Sequence, residues 1–545
     1  MSYQSRTTTM LREDHFLLAI NDIVKNGDND TLPIDADIAF LRESREKLIK
    51  MALKFSASLE REDKRYALNI FNQIPFFSER LLTPAGPTGF RVTTKIHPFW
   101  NFYFNALGIA IAERHEPLRS DRAHSYRYIG KGDLIFDPEW SWRKFREKTL
   151  EDCQGLPETA VVVQTDISSF YEHIYHHRIE NFIDELFPDA PTISVQVDRM
   201  LNSFAAGRSF GLPVGGQCAR ILAELLMSKI DGRLNANGVK WRRYVDDFVL
   251  IAKDQNEAYR ILAILSHALA DYGLSLSKTK TSFLKVKHYL DYAKSQLGGE
   301  DEQSKKLMEI DLRFDPYSDS RHEDWEQLKG AVKQLNIMKL LEDELGKTQP
   351  DNFVVTQISR TLKLLEPKVA IDICRSLLQS TNLHAFRSSF SKIMRGISAL
   401  RSDPEHHEIH NTIDILADAI PTHSAHLLTI DTNCLHYLKL IRFTKTEPRA
   451  RYVSAVYDSA KSETIKRACI ECWRAWRDRD QFISLRSKWN AMGREEQRML
   501  WLAAGDFTDD GHYMRKQVIG MTTHLWSLGA NVDFANAYIQ WAGGK

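Results

Sequence analysis

Two adjacent aspartates, Asp246 and Asp247, lie between two short apolar runs, an arrangement that could support metal-dependent chemistry. The run from Trp241 to Ala252 predicts a β-hairpin in which the two carboxylates occupy the turn. Neighbouring carboxylates repel each other, but divalent cations such as Mg²⁺ bind oxygen ligands and would stabilise the pair. Asp is also a common turn residue, so this hairpin alone leaves a structural turn and a catalytic site equally open.

A third aspartate, Asp166, ends the β-branched run that begins at Ala160. Such a run predicts a buried strand, and a charge at its end needs a partner such as a metal ion. If this strand neighbours the hairpin in an antiparallel sheet, Asp166 converges with Asp246 and Asp247. Three such carboxylates would suit two metal ions that hold the attacking and leaving oxygens of an in-line displacement.

Length and composition restrict the class of protein. A chain of 545 residues predicts two or three domains, and 43% apolar with 27% charged residues is typical of globular proteins. The net charge of +1 neither supports nor excludes a nucleic-acid partner. Six cysteines favour a reducing compartment. We find no secretion signal and no apolar run of the roughly 20 residues that span a bilayer. We therefore expect a soluble, cytoplasmic protein with no membrane partner.

The segments around the aspartates show the periodicities of helices and strands. Up to about residue 80 the spacing of apolar residues predicts helices, and beyond it helices and strands alternate. The predicted helices span residues 11–24, 38–55, 99–112, 219–230 and 256–272, and the predicted strands span residues 90–98 and 160–165. The helix over 99–112 is apolar almost all round, so we expect it to be buried.

The last part of the chain has a different pattern. The chain turns polar near residue 300, and strand signals almost vanish after residue 320. Apolar residues then recur at helical spacing, without a fixed repeat, over residues 325–345, 353–365, 386–400, 409–420 and 450–460. This pattern predicts an irregular helical-repeat or bundle domain. We expect an α+β domain over residues 1–300 and an all-α domain over residues 301–545.

Other clusters of reactive side chains are better explained as structural. The three histidines in residues 173–177 have no nearby cysteine to complete a zinc site. The Cys-x-x-Cys at 469–472 stands alone, and the His/Glu cluster at 406–410 lacks the order of a metalloprotease helix. The basic segment 119–127 is expected to be a solvated loop. The Trp-rich basic segment 140–148 is a candidate polyanion surface, although such helix faces are usually only solvated.

A glycine-rich loop over residues 210–217 precedes the apolar helix predicted at 219–230. At the start of a helix, such a loop can bring backbone N–H groups close to a substrate. It has neither the Gly-Lys-Ser/Thr of a P-loop nor a dinucleotide fingerprint. We expect Gly215, within this loop, to lie beside a bound substrate.

Four short segments resemble the motifs of reverse transcriptases, in the order and at the spacing of that family. They are Asp166-Ile167-Ser168-Ser169-Phe170-Tyr171, Gly211-Leu212-Pro213-Val214-Gly215, Tyr244-Val245-Asp246-Asp247 and the stretch from Leu276 to Lys280-Thr281. The resemblance covers residues of about 80 to 290. It implies a polymerase with fingers and a palm, in which an antiparallel sheet is packed against helices, followed by the all-α domain.

The resemblance implies a metal site and a catalytic lysine. Asp166 and Asp246 would ligate Mg²⁺ or Mn²⁺ together with the carbonyl of Ile167, and Asp247 would complete the acidic cluster. Lys280 would approach the pyrophosphate as a proton donor. The substrates would be deoxynucleoside triphosphates.

The resemblance also implies roles in nucleotide binding. Tyr171 would pack under the sugar and exclude a 2′-hydroxyl group. Arg91, Lys95 and Arg127 would be cations of the fingers that hold the triphosphate.

Two departures point to a particular branch of the family. Val214 and Gly216 stand where intron-type and many retron enzymes have Gln and Ser, and no His-Asn-His endonuclease pattern or retron Val-Thr-Gly follows. The long helical C-terminal region is similar to that of abortive-infection and other defence-associated bacterial reverse transcriptases. That similarity implies a role in antiphage defence, DNA synthesis with an RNA template or without a template, a protein hydroxyl as primer in some members, and homo-oligomers.

Two alternatives remain open at this point. A retron-type or mobile-element reverse transcriptase that copies a structured RNA would use the same chemistry. A catalytically inactive polymerase fold that serves as a helical-repeat scaffold would use none of it. Retention of all three aspartates, Tyr171 and Lys280 favours an active enzyme.

Overall fold

The computed structural model describes residues 10–28, 32–60, 63–86, 88–298, 303, 306–307, 310, 321–347, 350–529 and 532–544. The domain boundary expected at residues 300 and 301 falls outside these residues. Among the described residues, no helix combines the length and apolar character that a membrane span requires.

The first described elements are helices and a two-stranded antiparallel hairpin. These elements are α1 (Glu13–Asn26), α2 (Asp35–Glu43), α3 (Arg45–Glu60), α4 (Lys64–Asn72), β1 (Ser78–Ala85), β2 (Gly89–Ile96) and α5 (Pro98–His115). The helix predicted over 38–55 is therefore interrupted at Ser44, which ends α2. The predicted burial of the 99–112 helix is confirmed, because nearly every residue of α5 is buried.

The middle of the chain alternates between helices and strands. Its elements are β3 (Tyr128–Lys131), β4 (Leu134–Phe136), α6 (Trp142–Cys153), β5 (Val161–Thr165), α7 (His176–Leu186), α8 (Thr192–Phe204), α9 (Gln217–Ala236), β6 (Lys240–Tyr244), β7 (Asp247–Ala252), α10 (Gln255–Ala270), β8 (Ser282–Lys285) and α11 (Val286–Gly298). Four of these strands form one antiparallel sheet in the order β6-β7-β5-β8. The predicted strand before Asp166 and the predicted aspartate hairpin are therefore neighbours.

Helices cover both faces of this sheet. Side chains on one face, including Val163 and Leu250, belong to the large core that contains α9 and α10. On the other face, Val162 and Val249 pack against α6 and α11 in a smaller core with Phe145. The alternation of side chains along a strand thus sends neighbouring residues into two different cores.

From residue 321 onward, the described residues form only helices and the turns between them. The α-helices are α12 (Arg321–Lys333), α13 (Ile337–Leu345), α14 (Asn352–Thr361), α15 (Pro367–Leu378), α16 (Ser380–Ala385), α17 (Phe390–Arg401), α18 (His410–His423), α19 (Asp431–Ile441), α20 (Glu447–Ser459), α21 (Glu463–Ala475), α22 (Arg479–Ser487), α23 (Arg494–Ala503), α24 (Thr508–Leu525) and α25 (Phe534–Gly543). The predicted α+β class with a helical C-terminal region is confirmed.

The first helices and the β1–β2 hairpin pack directly on the C-terminal helices. Phe40 of α2 contacts the rings of Phe534 and Tyr538 of α25, with centroids 5.4 and 5.2 Å away. The backbone N–H of Leu82 in β1 donates a 2.7 Å hydrogen bond to the Asp431 carboxylate of α19. The C-terminal helices therefore contact the β1–β2 hairpin, which is separate from the four-stranded sheet that carries the aspartates.

Candidate active site

Register in the four-stranded sheet aligns three charged residues on one face. Gln164 of β5 pairs with Val249 of β7 on one side and with Ser282 of β8 on the other. Two residues further along each pair of strands, the same register places Asp166 between Asp247 and Lys280, because antiparallel partners run in opposite directions. Asp166, Asp247 and Lys280 accordingly line one cleft of about 450 Å³.

Lys280 is bound directly to Asp166. Its Nζ lies 2.6 Å from Asp166 Oδ2, and this hydrogen bond is the main influence that raises the pKa of Lys280. The Lys280 side chain is 66% exposed, whereas that of Asp166 is 9% exposed. The ammonium therefore stands between the buried carboxylate and the solvent of the cleft.

Asp246 occupies the turn between β6 and β7, next to the other carboxylates. Burial raises its pKa to about 7, and the negative charges of Asp166 and Asp247 add to the effect. Burial and Asp166 also raise the pKa of Asp247, against the opposing charges of Arg146 and Lys280. The structure thus brings the three predicted carboxylates within electrostatic range, where their mutual repulsion disfavours ionisation.

A buried network fixes the turn that carries Asp246. Val245 has a left-handed backbone with φ of 57°, a conformation that β-branched residues rarely adopt. Its N–H donates to Ser125 Oγ at 2.9 Å, and its carbonyl accepts from Arg243 Nη1 at 3.2 Å. Arg243 is fully buried and ion-paired with Glu224 and Asp231, each at 2.8 Å. This network holds the turn in its unfavourable conformation.

The donor chemistry of these carboxylates fits a hard divalent cation. Carboxylate oxygens are the ligands that Mg²⁺ prefers, and positive charge would relieve the repulsion that raises the pKa of Asp246. Ile167 directly follows Asp166 and pairs with Leu276 through an isolated bridge. Among the described residues, however, no three His, Cys, Asp or Glu side chains form a ready metal-binding cluster. The metal ligands remain predictions.

Tyr171 lies near Asp246, and the loop that contains Gly215 is hydrogen-bonded to Tyr171. Tyr171 is part of a short 3₁₀ turn, Phe170–His173, and its carbonyl accepts a 2.9 Å hydrogen bond from the N–H of Leu212. Burial raises the pKa of Tyr171, and Asp246 contributes to that rise. Gly215 has φ of 120°, which favours glycine, and precedes the start of α9. The structure therefore places the second predicted motif beside the first.

The structure corrects the predicted role of Lys95. Its ammonium is fully buried and ion-paired with Asp28 at 2.5 Å and Asp37 at 2.8 Å. Asp37 also binds Arg467 of α21, at 2.7 Å. Lys95 points into the body of the protein, where two buried carboxylates neutralise it, so its ammonium is not exposed to a triphosphate in this structure.

The predicted role of Arg127 needs the same correction. Its guanidinium pairs with Glu116 at 2.5 Å, donates to the carbonyl of Ser120 at 2.6 Å and lies over the ring of Trp140. These contacts engage its donors within the protein. Arg91, by contrast, is exposed on β2, so its role in binding triphosphate remains a prediction.

The residues that stabilise the turn of Val245 and Asp246 were not identified from the sequence. Segment 119–127 was expected to be a solvated loop, but His124 and Ser125 are buried, and Arg119 is ion-paired with Glu224 at 2.6 Å. A signal was present in the sequence. Glu224 lies in the middle of an apolar helix, and such a buried carboxylate requires a cationic partner.

The clusters interpreted as structural have structural contacts. His176 is buried and its Nε2 lies 2.8 Å from the carbonyl of Gly211. Cys469 and Cys472 are buried free thiols. His406 is buried, with Nε2 2.9 Å from the carbonyl of Leu365.

Comparisons with known proteins agree with the predicted class of protein. Residues 107–305 match the sequence family described as Reverse transcriptase (RNA-dependent DNA polymerase), a match that covers less than half of the chain. This segment of the chain is therefore similar to a reverse transcriptase domain. No curated protein sequence matches the chain.

Solved telomerase structures are distantly similar. One is telomerase from Candida albicans in complex with a TWJ fragment of telomeric RNA, with 12% identity, a TM-score of 0.31, and coverage of 64% of this chain and 68% of that chain. Another is apo telomerase from Candida tropicalis, with 12% identity, a TM-score of 0.32, and coverage of 66% and 67%. Scores this low support no conclusion about function.

Proposed function

We propose that this protein is a DNA polymerase of the reverse-transcriptase type that joins deoxynucleotides at the carboxylates of Asp166, Asp246 and Asp247. The observation that supports this proposal best is the convergence of these carboxylates, from β5 and the β6–β7 turn, next to Lys280. Residues with this chemistry are what two-metal nucleotidyl transfer requires.

The chain's own residues would divide the work as follows. Asp166, Asp246 and Asp247 hold Mg²⁺ or Mn²⁺, which supplies charge neutralisation and a more acidic attacking hydroxyl group when bound. Lys280, already hydrogen-bonded at the carboxylates, is protonated at neutral pH and donates a proton to the leaving pyrophosphate. Tyr171 excludes nucleotides that carry a 2′-hydroxyl group.

The proposed biological role is antiphage defence of the abortive-infection type. It rests on the resemblance of the motifs and on the helical region that follows the polymerase domain. In this role the protein acts in the cytoplasm as a homo-oligomer and makes single-stranded DNA, with an RNA template or without a template, from a protein hydroxyl group. The division into residues 1–300 and 301–545 is part of the same proposal.

Incorporation assays test the proposed chemistry. The purified protein is incubated with each labelled deoxynucleotide in turn, with Mg²⁺ or Mn²⁺, and with or without added RNA. Product without RNA supports untemplated synthesis, and RNA-dependent product supports a retron-type or other templated enzyme. Absence of product with either metal, with and without RNA, would contradict the proposal and favour an inactive scaffold.

A further inference from the structure

Arg146 of α6 is a buried cation beside the carboxylates. The residue is only 6% exposed and lines the same cleft as Asp166 and Asp247. Two of its three guanidinium nitrogens, Nε and Nη1, are buried without a hydrogen-bond partner. Since arginine remains charged under all ordinary conditions, these donors lose their hydration and gain no acceptor in exchange.

The surroundings of Arg146 compensate for this burial only in part. The guanidinium carbon lies over the rings of Trp142 at 5.0 Å, Phe145 at 5.1 Å and Tyr292 at 5.9 Å. The positive charge of Arg146 also opposes the rise in pKa that burial causes at Tyr289 and at Asp247. Buried Arg243, in contrast, has two carboxylate partners in ion-pair contact. Arg243 is therefore held by two ion pairs, whereas Arg146 has ring contacts in place of carboxylate partners.

Ring contacts constrain a guanidinium less than directional hydrogen bonds do. The side chain of Arg146 can therefore turn further into the cleft when an acceptor arrives there. Lys280 lines the same cleft, so an anion would meet positive charge from a second element as well as from α6. Phosphate oxygens match the planar fork of arginine donors particularly well.

We propose that Arg146, together with Lys280, binds a phosphate group in the cleft beside Asp247. This inference rests on the proposed function and adds a second phosphate-binding cation from α6. The phosphate belongs to the pyrophosphate portion of a nucleotide or to the backbone of a nucleic acid, and the experiment below distinguishes these sources.

The test uses the full chain and two methionine variants. Arg146→Met removes the charge and keeps an unbranched apolar side chain against the rings. Arg143→Met is the matched control, because Arg143 lies on the same helix, is 49% exposed and pairs with Glu147. Binding of inorganic pyrophosphate is measured by calorimetry and binding of a single-stranded oligonucleotide by fluorescence anisotropy, both in Mg²⁺. Thermal melting is measured without ligand.

Arg146→Met should bind one of the two probes about 10-fold to 100-fold more weakly, as expected for the loss of a hydrogen-bonded charge. Its melting temperature should be unchanged or higher, because the variant removes a buried charge with unpaired donors. Weaker pyrophosphate binding assigns the site to the nucleotide, and weaker oligonucleotide binding assigns it to the backbone. Arg143→Met should behave as the natural protein.

Two results would overturn the inference. One is a lower melting temperature with both affinities unchanged, which would make Arg146 a structural residue. The other is failure of the natural protein to bind either probe. The proposed function is judged separately by incorporation, so Arg146-dependent binding in a protein that makes no DNA would leave the phosphate site standing and remove the polymerase proposal.

Discussion

The N–H of Val245 donates a 2.9 Å hydrogen bond to the hydroxyl of Ser125, although the two residues are far apart in sequence. The same hydroxyl donates to Glu224, a partner of the buried Arg243. One serine therefore connects the turn that carries Asp246 to the ion pairs behind the sheet. Without it, the left-handed backbone of Val245 would lose one of its two polar anchors.

Ser125→Ala should weaken both the turn and the activity. It leaves the buried N–H of Val245 without an acceptor, a loss of about 1–3 kcal/mol in the free energy of unfolding. Urea denaturation measures this loss, and incorporation should fall as the turn relaxes. Ser402→Ala is the control, since that hydroxyl bonds an exposed helix carbonyl. Unchanged stability in Ser125→Ala would show that the turn does not depend on the Ser125 hydrogen bond.

Replacement of both turn aspartates, Asp246→Asn with Asp247→Asn, should abolish nucleotide incorporation while the fold remains intact. Neutral amides neither repel each other nor hold a divalent cation strongly. Incorporation of labelled deoxynucleotide and circular dichroism provide the two measurements. Asp189→Asn, an exposed carboxylate paired with Arg114, should keep activity. Undiminished incorporation in the double variant would rule out the proposed mechanism.

The raised pKa of Asp246 predicts a pH-dependent stability in EDTA. Its value of about 7 exceeds the ordinary value of 3.8, so the folded protein binds this proton more tightly than the unfolded chain. This contribution to stability is present at low pH and is lost as pH rises from about 4 to about 7, by an amount on the order of a few kcal/mol.

Asp246→Asn should remove this loss. Its melting temperature in EDTA should exceed that of the natural protein by a margin that grows between about pH 4 and pH 7 and then stays constant. Added Mg²⁺ should reduce the margin, because the cation stabilises the ionised natural site. A margin independent of pH would show that Asp246 ionises normally.

Substitution of Lys95 should lower stability, whereas substitution of Arg91 should change nucleotide binding. Lys95→Met leaves the buried carboxylates of Asp28 and Asp37 without their lysine, so the free energy of unfolding should fall by about 3–5 kcal/mol. Arg91→Gln, at an exposed site, should leave stability unchanged and raise the KM for deoxynucleotides. Denaturation and steady-state kinetics make the comparison. A stable Lys95→Met variant with a raised KM would restore the original prediction for Lys95.

Tyr171→Ala should admit ribonucleotides. The side chain is partly buried near Asp246, and its removal opens space at the place proposed for the sugar. Competition between ribo- and deoxynucleotides measures the change in selectivity. Tyr171→Phe keeps the ring and should retain discrimination. Unaltered selectivity in Tyr171→Ala would place the exclusion of the 2′-hydroxyl group elsewhere.

Local patterns were sufficient for the elements that carry the aspartates. The strand that ends before Asp166 and the hairpin around Asp246 were predicted, because short continuous apolar runs next to turn residues define such elements without help from the rest of the chain. The burial of α5 was also predicted, because apolar residues lie on nearly all sides of that helix. The break at Ser44 was missed, since the apolar spacing continues across it.

The sequence by itself determined the motifs, the helical C-terminal region and the alternation that puts Asp166 and Asp247 on one face of a sheet. Only the tertiary structure decided which cations remain available to a ligand. Lys95 is neutralised by carboxylates of distant segments, and Arg146 is enclosed by rings of α6 and α11. The burial and pairing of a charge depend on which remote elements pack around it, and local spacing along the chain does not encode that.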